Sequence, residues 1–120
     1  MIARGEIAAD PAIDEAQIQP ASIDLRLGTV AYRVPASFLP GPAATVADKL
    51  AGLSMHEIDL TGGAVLEKGC VYIVQVLEKV DLPARVSGTA NPKSSTGRLD
   101  IFTRLISDRA VEFESVPAGY

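Results

Sequence analysis

The chain has 120 residues, of which 48% are hydrophobic and 22% charged, with a formal net charge of −4 at pH 7 and one cysteine. That length suits one domain with its own core, and the acidic balance gives no electrostatic footprint for nucleic acid. A lone cysteine excludes an internal disulfide and fits a reducing, cytoplasmic setting, while no apolar run approaches the roughly 20 residues that span a bilayer and Met1 to Glu6 lack a signal-peptide core, so no membrane partner is expected.

Along the chain, alternation with period two dominates. In Ser22-Ile23-Asp24-Leu25-Arg26-Leu27 the three aliphatic residues share one face and Ser22, Asp24 and Arg26 the other, which predicts a half-buried strand ended by Gly28. The same-face spacing of Asp24 and Arg26 predicts a local ion pair with a structural or subunit-contact role. Thr29 to Val34 reads as a second strand, and Pro35 to Pro42 as a loop of proline and small residues. Val46, Leu50 and Leu53 at helical spacing, with Thr45 as a cap, predict one short helix over Thr45 to Leu53.

Further strands are predicted at His56 to Leu60, Ala64 to Leu66, Val71 to Leu77 and Arg85 to Ala90, separated by Gly62-Gly63, Lys68-Gly69 and Asp81-Leu82-Pro83. Short strands at such spacing point to an all-β sandwich or barrel and not to a βαβ fold. Between Leu99 and Phe113 the pattern is mixed: Ile101-Phe102-Thr103 and Leu105-Ile106 fit strands, and Arg109 to Phe113 fits a strand or irregular chain. Cys70, just before Val71-Tyr72-Ile73-Val74, is expected as a small buried hydrophobe.

The chemistry concentrates in Asn91-Pro92-Lys93-Ser94-Ser95-Thr96-Gly97-Arg98. Pro92 stops the preceding strand, Gly97 favours a turn, and Ser94 or Ser95 is placed to cap a short helical turn. Two hydroxyl donors between a mobile ammonium at Lys93 and a planar guanidinium at Arg98 make a cradle for a polyphosphate. The alternative is that the serines only cap the turn and the basic residues are solvated. A zinc site is not expected, because catalytic zinc takes about three protein ligands and the chain offers one histidine, His56, and one cysteine, Cys70. His56 itself is expected to be an ordinary strand or loop residue.

Two segments carry a family resemblance. Ile18-Gln19-Pro20-Ala21-Ser22-Ile23-Asp24-Leu25-Arg26-Leu27-Gly28 resembles the N-terminal strand motif of dCTP deaminases, and Pro92 to Asp100 resembles their phosphate-binding motif, usually Gly-Arg-Ser-Ser-x-x-Arg-Leu-Gly. The order of the two segments fits the dCTP deaminase and dUTPase superfamily. Ala31 to Val34, Ser37 to Pro42 and Asp100 to Arg104 are similar to a longer bacterial branch of the deaminases.

The resemblance implies a mainly β fold, a distorted β-barrel or jelly roll of the dUTPase-like (β-clip) type with one or two short helices. It implies a homotrimer or higher homo-oligomer with sites between subunits, and deamination of dCTP to dUTP without zinc. In that chemistry a glutamate activates water and Mg²⁺ accompanies the triphosphate. Carried over by position, Ser94, Ser95 and Arg98 grip phosphate and help to set the water, with Ser94 and Arg98 as the catalytic pair. Lys93 stands where the family usually has arginine, keeping the charge and losing the bidentate fork.

Downstream, the family turn Ile-Asp-x-Gly-Tyr/Phe-x-Gly is matched by Val116-Pro117-Ala118-Gly119-Tyr120, with Pro117 at the position of the aspartate that a dUTP-hydrolysing member uses. This disfavours a dUTPase or bifunctional reading, with a non-catalytic nucleotide-binding module as the remaining alternative. The water-activating glutamate of the family is expected beyond residue 120, and most of the opening helix before Met1. The reading is therefore a truncated dUTPase-like domain over residues 1–120, inactive alone. Glu112 and Glu114 are expected on a solvated edge.

Overall fold

A computed structural model describes all of residues 1–120. In chain order its elements are a 3-10 turn at Ile2–Arg4, strand β1 at Ile7–Ala9, a 3-10 turn at Glu15–Gln17, β2 at Leu27–Val34, helix α1 at Val46–Leu53, β3 at His56–Asp59, β4 at Val71–Val76, β5 at Glu78–Val80, β6 at Gly88–Thr89, α2 at Ser94–Arg98 and β7 at Ser115–Val116. The fold is mainly β with short helices, as the alternation indicates, and its sheets of two, three and two strands do not close into a barrel. The residues group into two compact units, one made of Met1–Ala8, Leu39–Val46 and Val80–Tyr120, the other of Ala9–Phe38 and Ala47–Lys79. No helix is long and apolar enough to cross a membrane.

The second unit is built on an antiparallel sheet in the order β3-β2-β4, with Ala31 opposite Ile58 on one side and Val74 on the other. Ala31 and Val34 on β2 are its most buried apolar residues, at 0% and 3% exposure. β2, at eight residues the longest strand, takes the centre and pairs with β3 through Val30 to Arg33 and with β4 through Leu27 and Ala31 to Val34. The helix predicted at Thr45 to Leu53 is present as α1, and the N–H of Met55 just after it donates to the Arg33 carbonyl at 2.8 Å.

Gly28 does not end a strand. It lies inside β2, where the register against β4 shifts between Leu27 and Ala31, and a Cβ built on it would lie 2.7 Å from the Gln75 carbonyl oxygen. The glycine therefore admits a close backbone approach at an irregularity in the ladder.

Of the strand expected at Ser22 to Leu27 only Leu27, the first residue of β2, and an isolated bridge, Ile18 to Ile23, are present, and most of the inferred apolar face is not buried: Leu25 is 43% exposed and Leu27 62%. Arg26, on the polar face, turns inward instead. Arg26 donates from its backbone N–H to Glu78 Oε2 and from Nε to Glu78 Oε1, both at 2.9 Å. The ion pair of Arg26 thus runs to Glu78, where the local spacing had suggested Asp24.

Ala64 to Leu66 also forms no strand, and Val65 is 88% exposed. The Arg85 to Ala90 strand shrinks to the two residues of β6, because Pro83 leads into a turn closed by the Val86 N–H on the Pro83 carbonyl. Leu99 to Phe113 carries no strand beyond α2. Cys70 is half-buried and not the enclosed hydrophobe expected; its thiol donates to the Glu67 carboxylate at 3.6 Å. His56 opens β3 on an exposed position, as an ordinary strand residue.

In the first unit β6 pairs antiparallel with β7, Gly88 opposite Val116 and Thr89 opposite Ser115. The Ser107 hydroxyl, 7% exposed, donates to the Ser115 carbonyl at 2.9 Å and holds the intervening loop to this ribbon. Residues 41–46 are pinned to the same loop by Gly41 N–H on the Ala110 carbonyl, Arg109 N–H on the Ala44 carbonyl and Val46 N–H on Asp108 Oδ1. The chain then turns through Gly119, at φ 75°, so that the Leu82 N–H reaches the Tyr120 carbonyl at 2.8 Å. The Tyr120 hydroxyl accepts from the Asp108 N–H at 2.8 Å.

Candidate functional site

The segment read as an anion cradle forms a single helical turn, α2, entered from an extended Lys93 at φ −66° and ψ 139°. Pro92 keeps helix from extending back through Asn91, since the residue before a proline avoids the helical region, and the helix begins after the extended Lys93. The Lys93 carbonyl accepts the N–H groups of Thr96 at 3.0 Å and Gly97 at 3.2 Å, which closes the turn. Lys93 occupies the capping position and no side chain caps the helix.

Neither serine caps the turn, contrary to the sequence expectation. The chain places Ser94 and Ser95 inside the helix as its first two residues, one position too late to fold a hydroxyl back onto the first-turn amides. Both side chains are exposed. Ser94 and Arg98 stand four residues apart and so share one face of the turn, and Arg98 is likewise exposed. Sequence neighbours Lys93, Ser94, Ser95 and Arg98 are thus gathered on one turn of the surface, with two hydroxyl donors and two cationic side chains of different geometry.

Past α2 the chain reverses through Asp100 at φ 58°, and the Ile101 N–H donates back to the Thr96 carbonyl at 3.3 Å. This leads into a cation and ring arrangement that the sequence reading did not single out. The Arg104 guanidinium carbon lies 5.5 Å from the Phe102 ring centroid and 5.1 Å from that of Phe113. The spacing Phe-x-Arg is the only hint in the sequence, and Phe113 joins through the loop.

The remaining candidates separate from the turn. Glu112 is exposed and Glu114 is half-buried, held at φ 64° by its N–H on the Leu105 carbonyl and its own carbonyl on the Ala90 N–H. Neither carboxylate hydrogen-bonds to α2. Pro117 is exposed, and its carbonyl accepts the Tyr120 N–H at 3.2 Å. No cluster of three histidine, cysteine, aspartate or glutamate side chains suited to a metal ion is present.

Gln17 and Glu78, each 7% exposed, were missed as a buried polar pair. The signal available for Gln17 is Asp14-x-x-Gln17, a capping box in which the Asp14 side chain accepts from backbone at the start of the turn and Gln17 Oε1 accepts the Asp14 N–H at 2.9 Å. Nothing local marks Glu78, whose partners lie 52 and 61 residues away.

Comparison with known proteins agrees with the family resemblance. The family described as the 2'-deoxycytidine 5'-triphosphate deaminase N-terminal domain matches residues 1–120. The crystal structure of 2'-deoxycytidine 5'-triphosphate deaminase from Agrobacterium tumefaciens superposes with a TM-score of 0.94 at 59% identity, covering 98% of this chain and 35% of that one. Among curated proteins, a dCTP deaminase of Actinobacillus succinogenes is 32% identical over 113 residues, 88% of this chain and 58% of the relative. A dUMP-forming dCTP deaminase of Methanoregula boonei is 34% identical over 103 residues, 83% of this chain and 52% of the relative. The chain thus spans little more than half the length of these curated relatives. With a mainly β, dUTPase-like fold and a match along its whole length, it belongs to the N-terminal domain family of the 2'-deoxycytidine 5'-triphosphate deaminases.

Proposed function

We propose that this chain carries the triphosphate-binding part of a dCTP deaminase, an enzyme that adds water at C4 of the cytosine ring and releases ammonia, turning dCTP into dUTP. The observation that carries the reading is the placement of Ser94 and Ser95 within the exposed turn α2, where neither hydroxyl is used as a helix cap. Serines that only capped the turn would have satisfied its first amides. Hydroxyls left outward beside Lys93 and Arg98 are suited to phosphate oxygens.

In this reading Ser94, Ser95 and Arg98 hold the triphosphate, Lys93 adds a point charge, and Ser94 and Arg98 help to orient the attacking water. The general base is a glutamate outside residues 1–120. Mg²⁺ is carried in by the triphosphate, because the donors of this turn are hydroxyls and cations, which suit phosphate and not a metal ion. When bound, the ion neutralises phosphate charge. We place the protein in the cytoplasm, as a homotrimer or larger homo-oligomer with sites between subunits, acting in deoxynucleotide metabolism. Pro117, at the position of the aspartate in dUTP-hydrolysing members, weighs against diphosphatase activity.

The test is incubation of the 120-residue chain with dCTP and Mg²⁺, with products separated by ion-exchange chromatography and dCTP binding followed in parallel. Binding without product is the expected result. Formation of dUTP would move the water-activating role to Glu112 or Glu114, and absence of binding would refute the assignment of α2.

A further inference from the structure

The motif at residues 18–28 has no part in the phosphate reading, yet it feeds the most buried charged group of the molecule. The Glu78 side chain is 2% exposed. Its Oε1 accepts from Gln17 Nε2 and Arg26 Nε and its Oε2 from the Arg26 backbone N–H, all at 2.9 Å. Arg26 then reaches onward, Nη2 donating to the Pro11 carbonyl at 2.7 Å and Nη1 to the Ala12 carbonyl at 3.3 Å. Gln17 binds the same stretch to itself: its Nε2 donates to the Asp24 carbonyl, and its own carbonyl accepts the Asp24 N–H, both at 2.9 Å.

Residues 11–26 thus fold back on themselves around one carboxylate. Little apolar burial supports them, since Ile18 is 48% exposed and Leu25 43%. The neighbouring sheet has a separate hold in its ladder and in Ala31 and Val34. A segment held by polar contacts beside an independently paired sheet is what opens first in a native protein.

We infer that residues 11–26 are a strap clasped onto Glu78, and that it opens and closes as a unit while the β3-β2-β4 sheet stays formed. Arg26 and Gln17 are the pins of this clasp. The clasp is built for an ionised Glu78, because a proton would remove the negative charge that faces the Arg26 guanidinium and weaken the charge-assisted bonds to both oxygens. Arg26 is the charged side chain that meets Glu78; Asp24 borders the network through its backbone, and the Asp14 carboxylate accepts the Ala16 N–H. The inference rests on this geometry and not on the proposed function.

Hydrogen exchange of the 120-residue chain, read amide by amide and corrected for intrinsic rates, tests it without any reference to nucleotide. At pH 7, Glu78→Gln is expected to speed exchange at Ala16, Gln17, Asp24 and Arg26 by about tenfold or more, the scale of one lost charge-assisted hydrogen bond, with the β2 and β4 amides unchanged. Wild-type chain taken below the lowered folded value of Glu78, past the ordinary glutamate range, should show the same selective change, and it decides the matter alone where the variant does not fold. Strap amides that keep their protection in these conditions would overturn the inference. So would strap and sheet amides that lose protection together at one rate, since the strap would then be part of a single cooperative unit.

Discussion

Arg98 and Gly28 show how much can rest on one residue. Arg98 shares a face of α2 with Ser94 and is exposed there, so its removal should leave the fold intact and act on the ligand. Arg98→Ala is expected to weaken dCTP binding by about tenfold or more, as for a lost hydrogen bond between charged groups, measured by calorimetric titration. Arg98→Lys should recover only part, because the ammonium lacks the planar fork; the converse change Lys93→Arg should keep or tighten binding. Gly28 acts on stability instead. An added Cβ would stand 2.7 Å from the Gln75 carbonyl oxygen, a backbone atom with little room to retreat. Gly28→Ala should therefore cost about 1 to 3 kcal/mol, the usual scale of a forced overpacking, seen as a lower urea midpoint.

At the scale of elements, helix α1 depends on a side chain from elsewhere in the chain to satisfy its first amide. The Val46 N–H at the start of α1 is taken by Asp108, 62 residues away, so Asp108→Ala should destabilise by about 1 kcal/mol, as for loss of a cap, with circular dichroism reporting the melt. The strap has its own electrostatic dependence. Burial pushes the Glu78 carboxyl up, but hydrogen bonds from the Arg26 N–H and guanidinium, from its own backbone and from Gln17 outweigh this and hold it below its ordinary value. The folded chain therefore binds this proton less readily than the unfolded chain. The resulting stability is fully present above the ordinary glutamate range and is lost as pH falls through the lower folded value. Urea melts from pH 7 to pH 3 should show a smaller loss for Glu78→Gln than for wild type; parallel curves would exclude Glu78 as a source of acid sensitivity.

For the whole molecule, the distribution of apolar surface matters most. Among the aliphatic and aromatic residues only Ala31, Val34, Leu82 and Ala110 are buried, while Phe102 is 87% exposed, Leu99 72% and Val111 68%. Exposed apolar side chains of this size favour association. Sedimentation velocity should show species heavier than the 12.6 kDa monomer, growing with concentration, and Leu99→Ser should reduce them. A single monomeric boundary at tens of micromolar, a range in which weakly sticky surfaces show themselves, would count against this.

What the sequence by itself determined are the features whose cause lies within a few residues. The strands of the β3-β2-β4 sheet follow from short apolar-rich runs bounded by glycine and proline turns, α1 from 3.6-residue spacing, and α2 from a proline that forbids helix before it and a run of hydroxyl and basic residues after it. The turn proposed to hold phosphate is legible for the same reason: its hydroxyl and basic residues are contiguous. Only the tertiary structure decided the rest. Alternation at Ser22 to Leu27 reads as a strand with its aliphatic side inward, yet Arg26 on the polar side turns in, because a carboxylate 52 residues away takes both its backbone N–H and its guanidinium. Gly28 likewise reads as a strand end until the Gln75 carbonyl is brought against it. Local pattern encodes which face is apolar, but a buried charge goes where its partner is, and that partner is chosen by the fold.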